Sequence, residues 1–163
     1  MESKKIVKQL NALIDHDAGH QIRNVVERMR IYPKRNQTSY RDELSALINN
    51  YEMSNVEIGV FSFFDGYKVV EKYLLFGKIE MDLLAVDRST REIVLLDHDN
   101  IDHVMIKCSK SSSDFLEILY VYSEFTVNRL LDNDTYVLPE KMVLYEMSGG
   151  DAYGKFVDFL FDF

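Results

Sequence analysis

The chain has 163 residues, 47% of them hydrophobic, with ten Tyr, ten Phe, no Trp, one cysteine and a net charge of -8. That length makes one domain the default and suffices to bury a sizeable core, and the apolar fraction excludes disorder over most of the chain. The single Cys108 excludes an internal disulfide and a thiolate-rich zinc site, and no apolar run approaches the roughly 18 residues of a membrane span.

Ile6, Val7, Leu10, Leu13 and Ile14 recur at helical spacing, Gly19 interrupts, and Ile22, Val25, Val26 and Met29 resume the stripe. Lys8, Gln9 and Asn11 break the apolar block that a signal peptide would need, so a cytoplasmic protein is expected. Pro33 closes this helical segment, residues 1–35, and "PKRNQTS" is a polar connection. Tyr40, Leu44, Leu47, Ile48 and Tyr51 form the next helical stripe, with Thr38 or Ser39 as the cap and Asp42 near the positive end of the dipole.

"NVEIGVFSFFDG" reads as a strand closed by an Asp65-Gly66 turn, while "YKVVEKYLLFG" fits a helix or a strand. "EMDLLAVD" and "EIVLLD" are strands joined by the loop "RSTR" as a hairpin, and "HVMIKC" is a further strand. Ser111, Ser112 and Ser113 offer N-caps for a helix carrying Phe115, Leu116, Leu119, Tyr122 and Phe125. "DNDTYVLPE" breaks it, "KMVLYEM" reads as a late strand, "SGGDAYG" as a loop and "FVDFLFDF" as a short helix. Consecutive strands joined by short turns pair antiparallel. The expected fold is therefore α+β, an antiparallel sheet of about four to six strands with helices packed on one face, in one domain spanning residues 1–163.

Charge is distributed unevenly. Residues 1–41 hold nine Lys/Arg against four Asp/Glu, a balance of +5, and residues 42–163 hold ten against twenty-three, a balance of -13. An acidic surface repels phosphate backbones and attracts basic partners, so neither nucleic acid nor a membrane is expected as a partner.

Two histidine clusters suggest metal chemistry. His16 and His20 stand four apart, on one face if the segment is helical, but Gly19 weakens that helix. "DHDNIDH" offers Asp97, His98, Asp99, Asp102 and His103, ligand types that suit a cation, without the periodic Asp, Gly and terminal Glu of a calcium loop. The preferred reading is a turn in which Asp and Asn bond their own backbone. The alternative is a metal-dependent hydrolase using His98, Asp99 and His103. Neither a nucleophile elbow nor a phosphate loop is present, so no catalytic residue, metal or cofactor is expected.

The succession "LLAVDRSTREIVLLDHDN" and "HVMIKCSKSSSDFLEIL" resembles the SUKH superfamily, which takes in yeast cell-wall-synthesis regulators and many bacterial immunity proteins. Val86-Asp87 stands where a strand ends, Ile93 to Leu96 is the return strand, and Ser111 with Phe115-Leu116 looks like the family's helix start. "YRDELSALINNY" and "VEIGVFSFF" lie where the family has a helix and its first strands, so the likeness spans residues 40–125 and leaves 130–163 as a C-terminal strand and helix. The resemblance implies binding without catalysis: an antidote to a cognate toxin, often a nuclease, whose basic surface an acidic partner covers. The expected contact surface comprises Asp65, Asp82, Asp87, Asp97, Asp99 and Asp102, with Tyr67 as an aromatic anchor. The resemblance sets neither the partner's identity nor the oligomeric state.

Overall fold

The computed structural model describes residues 3–15 and 23–162. The N-terminal stripe folds as α1 (Ser3–Asp15) and the short α2 (Arg23–Glu27). Ile6, Val7, Leu10 and Ile14 of α1 are buried, as the helical spacing requires. A two-residue strand β1 (Tyr32–Pro33) pairs antiparallel with β2 (Tyr51–Glu52), bracketing α3 (Glu43–Asn50).

α3 is shorter than its apolar stripe predicts. Its cap is Asp42, whose carboxylate accepts the Ser45 N–H at 2.8 Å and the Ser45 hydroxyl at 2.7 Å. Thr38, an expected cap, instead exchanges two hydrogen bonds with the Asn50 side chain. Tyr40 and Tyr51 therefore fall outside the helix, at either end.

Six strands then follow in sequence order as one antiparallel meander: β3 (Glu57–Ile58), β4 (Phe61–Val70), β5 (Tyr73–Ile79), β6 (Asp82–Asp87), β7 (Ile93–Leu96) and β8 (Val104–Ser109). The expected α+β class and antiparallel sheet are both present. Asp65-Gly66, expected as a turn, lies inside β4, where the register with β5 shifts between Phe63 and Lys68. Gly66 has φ +89°, and a bulge needs that left-handed residue as much as a turn does. The chain reverses instead at Glu71–Lys72, so the ambiguous "YKVVEKYLLFG" is strand, turn and strand.

One sheet face, including Phe61, Phe76, Leu84, Val86, Leu95 and Cys108, packs into a single core with α1, α3 and the C-terminal helices. Cys108 is wholly buried, and burial pushes its thiol well above the ordinary range. The opposite face holds a smaller cluster of Tyr73, Leu75, Ala85, Val94 and Leu96, which no helical residue joins among those described. Burial on both faces explains why "LLAV" and "IVLL" are continuous apolar runs with no alternation.

α4 (Ser112–Leu130) opens on Ser111, which accepts the Asp114 N–H at 3.2 Å and donates its hydroxyl to the Asp114 carboxylate at 2.8 Å. "KMVLYEM" is not a strand; it forms α5 (Lys141–Ser148). Leu144 and Ser148, four apart, are its buried pair, and Gly149 ends it at φ +110° with the Gly149 and Gly150 N–H groups returning to Glu146 and Tyr145. A Cβ on Gly149 would lie 2.3 Å from Lys110 Cβ, so this crossing admits only glycine. A 3₁₀ turn (Asp151–Tyr153) leads into α6 (Gly154–Phe161), the expected terminal helix.

The N-terminal basic charge is partly neutralised by the acidic body: Arg28 pairs with Glu57 at 3.0 Å, and Lys34 pairs with Asp65. Among the described residues no helix is long and apolar enough to cross a membrane.

Candidate functional site

β6 and β7 pair with Leu83 opposite Leu96. The same antiparallel register, carried one step outward, brings Asp82 beside Asp97 and so gathers the acidic loop at one end of the sheet. The loop is held by its own backbone and by two of its short polar side chains. The Asp97 N–H donates to the His103 carbonyl at 3.1 Å, the Asn100 N–H to the Asp97 carbonyl at 3.2 Å, and the His103 N–H to the Asn100 carbonyl at 2.9 Å. Two further N–H groups, of Asp99 and Asp102, donate to the side chains of Asp97 and Asn100, at 2.9 and 3.3 Å. The predicted Asx-type turn is the observed one.

His98 sits at the centre. Its backbone N–H and its ring Nδ1 both reach Asp82 Oδ1, at 3.3 and 2.9 Å. A carboxylate at Nδ1 keeps a proton there, so Nε2 is the nitrogen that titrates, and it faces Asp99 Oδ1 at 3.5 Å. The hydrogen bond to Asp82, with the fields of Asp99, Asp82 and Asp97, raises the His98 pKa above its ordinary value. Asp97 is lowered, chiefly by the Asp99 N–H and then by His103, whose Nδ1 lies 3.6 Å from Asp97 Oδ2.

The chemistry open to this cluster is limited. Ligand atoms of Asp82, Asp97 and His98 all lie within 4.8 Å of one another, the one such group among the described residues. His98, Asp99 and His103, the trio required by the hydrolase alternative, do not converge as a ligand set; His103 turns to Asp97 instead. His16 and His20 lie outside the described residues.

The predicted contact residues occupy three places. Asp82, Asp97 and Asp99 come together around His98, and Asp102 shares their loop. Asp87 sits at the far end of β6, roughly 17 Å away at about 3.3 Å per residue. It is 7% exposed, and its Oδ1 accepts the Ser89 N–H at 2.8 Å, the Ser89 hydroxyl at 2.6 Å and the Thr90 N–H at 3.3 Å. Burial pushes its pKa up, but those hydrogen bonds and Lys72 at 3.5 Å together bring it below the ordinary value. Asp65 stands on the β4 bulge, paired with Lys34. Tyr67, on the same bulge, is half-buried with its ring edge-on to Phe76 and its hydroxyl 3.3 Å from Ser45 Oγ. Burial holds that phenol neutral. Asp87, Tyr67 and Asp65 are thus each held by contacts within the chain.

Sequence reading did not single out two concavities. One, of about 370 Å³, lies between α1 and α3 and is lined by polar residues such as Ser3, Thr38, Glu43 and Asn50. The other, of about 540 Å³, lies along the C-terminal half of α4 against α6 and the β5–β6 turn, with Phe125, Leu130, Phe159 and Leu160 among its walls. No family model matches the chain, and neither a curated protein nor a solved structure matches it.

Proposed function

We propose that the chain is a cytoplasmic, non-catalytic protein-binding module of SUKH type, an immunity protein that neutralises a basic toxin, nucleases included, by acidic surface complementarity. The observation that carries this reading is the end of the sheet formed by Asp82 and the 97–103 loop. Among the described residues Asp82, Asp97, Asp99 and Asp102 have no Lys or Arg within ion-pair distance; Asp82, Asp97 and Asp99 pair only with histidines. Four other acids are each paired with a cation: Asp87 with Lys72, Glu92 with Lys107, Glu57 with Arg28 and Asp65 with Lys34. A local excess of unscreened carboxylates speeds encounter with a basic surface and sets its orientation. The run of antiparallel strands ending in the Ser111-capped helix supports the resemblance that implies this role.

The test is co-expression with the toxin encoded by the adjacent open reading frame, together with stopped-flow association of the two purified proteins. Growth should be protected. The association rate should fall steeply with salt and slow at least tenfold in D82N/D97N/D99N/D102N. Unprotected growth, or a rate indifferent to salt and to those substitutions, would sink the reading.

A metal-dependent hydrolase using His98, Asp99 and His103 is the second reading; the approach of Asp82, Asp97 and His98 offers ligand types for a cation and is not itself evidence of hydrolysis. Elemental analysis of purified protein decides it: stoichiometric metal lost on His98→Ala would favour it, and metal-free protein would remove it.

A further inference from the structure

The 540 Å³ groove differs from the acidic loop in having both an apolar floor and an acidic rim. Its floor is the α4 face Phe125–Leu130 together with Phe159 and Leu160 of α6. Leu130 is 36% and Phe159 45% exposed, unusual for large apolar side chains that flank a pocket rather than stand singly. Past Phe125 and Arg129 the groove continues into a shallower depression of about 250 Å³.

The rim is acidic. Glu80 and Asp162 line the main groove, and Asp132 and Asp134 line its extension. None of these four has an ion-pair partner among the described residues. The lining holds one cation, Arg129, which lies over the Phe125 ring at 6.0 Å. Four carboxylates against one guanidinium leave the rim strongly negative.

Three of the four rim acids carry a second mark. Glu80, Asp132 and Asp162 have φ of +54°, +48° and +55°. They occupy the β5–β6 turn, the residue past the C-cap of α4 and the C-cap of α6, positions where glycine would be relaxed. An acid at each is a local conformational cost, one that Glu71 and Arg91 also bear in the β4–β5 and β6–β7 turns.

The geometry points to this groove as the docking site for an amphipathic basic segment of a partner protein, its large apolar side chains on the Phe125–Phe159 floor and its Lys or Arg side chains on Glu80, Asp132, Asp134 and Asp162. Charge complementarity selects that occupant: an acidic or neutral apolar segment would meet an uncompensated negative rim, and the apolar face of this chain's own basic helix α1 is already buried in its core. The inference deepens the binding reading and rests on it.

The probe is a synthetic helical peptide of leucines on one face and lysines on the other, compared with its leucine–glutamate counterpart by isothermal titration against the full chain at low and high salt. The lysine peptide should bind, weaken with salt and lose at least tenfold in affinity on E80G/D132G/D162G. The same triple substitution should leave the melting temperature equal or higher, because glycine relaxes each φ; a merely structural role would lower it. F159A, on an exposed floor position, should weaken binding without changing the salt slope. Several outcomes would overturn the docking site: equal binding of both peptides, binding unchanged by the groove substitutions, or concentration-dependent self-association blocked by F159A. If D82N/D97N/D99N/D102N abolishes peptide binding and toxin protection while the groove variants do not, the groove falls and the acidic-loop reading stands.

Discussion

Asp82 and Asp87 are the two ends of one strand, and they show how a shared residue type acquires different work. Asp87 is buried in the β6–β7 turn, where three donors from Ser89 and Thr90 converge on one of its oxygens. Asp82 is partly exposed at the opposite end and, among the described residues, receives only the backbone N–H and the ring Nδ1 of His98. The difference lies in what each carboxylate would leave behind. Removing Asp87 takes away a buried carboxylate and all three of the hydrogen bonds that order the turn, whereas removing Asp82 releases an exposed imidazole that water can solvate.

The largest expected effect is therefore Asp87→Ala. Loss of the hydrogen bonds to this buried carboxylate should cost about 2 kcal/mol in urea denaturation, with toxin association unchanged. Ser89→Ala removes one of the converging donors and should cost about 1 kcal/mol by the same measurement; a cost equal to that of Asp87→Ala would mean that the serine hydroxyl, not the carboxylate, organises the turn. Asp82→Asn should cost less than about 1 kcal/mol, while moving the His98 pKa, followed by NMR of the ring protons, back towards its ordinary value. Smallest of all, Asp99→Asn should leave stability within about 0.5 kcal/mol and shift His98 in the same direction by less than Asp82→Asn does.

Acidity separates the two ends further. The raised pKa of His98 makes its contribution complete below the ordinary histidine value of 6.5 and lost as pH rises through the higher folded value. The lowered pKa of Asp87 makes its contribution present above the ordinary value of 3.8 and lost as pH falls through the folded one. Denaturation across pH should thus show Asp82→Asn altering the slope near and just above pH 6.5, and Asp87→Asn altering it below 3.8. Overlapping windows would dissolve the contrast between the two ends. Toxin association should also slow as pH drops through the His98 titration, because a cationic imidazole then partly cancels Asp82 and Asp99.

Much of the fold was legible where a local signal and a short connection agreed. The β6–β7 hairpin followed from two apolar runs and a four-residue loop, and α4 from the serines 111–113 ahead of a helical apolar stripe, of which Ser111 is the cap. The site was legible in part: the loop's turn chemistry was readable, and the hairpin register would have set Asp82 against Asp97 had it been carried past Leu83–Leu96. Failures came where one pattern served two structures. Asp-Gly suits a bulge as well as a turn, and the apolar run of "KMVLYEM" is as good for a strand as for a helix until Leu144 and Ser148 find the core on one side.

Sequence alone determined the α+β class, the helical stripes of α1 and α4, the antiparallel pairing of neighbouring strands and the acidic bias of the body, because these depend on side-chain periodicity, caps and charge within a few residues. Tertiary structure decided the rest. It buried Asp87 while leaving Asp82 accessible, set Tyr67 against Phe76, matched Arg28 and Lys34 to distant acids, and built the groove from α4, α6 and the Glu80 turn. Those outcomes depend on which faces meet across the core, and packing between segments far apart in the chain leaves no periodic trace in either one.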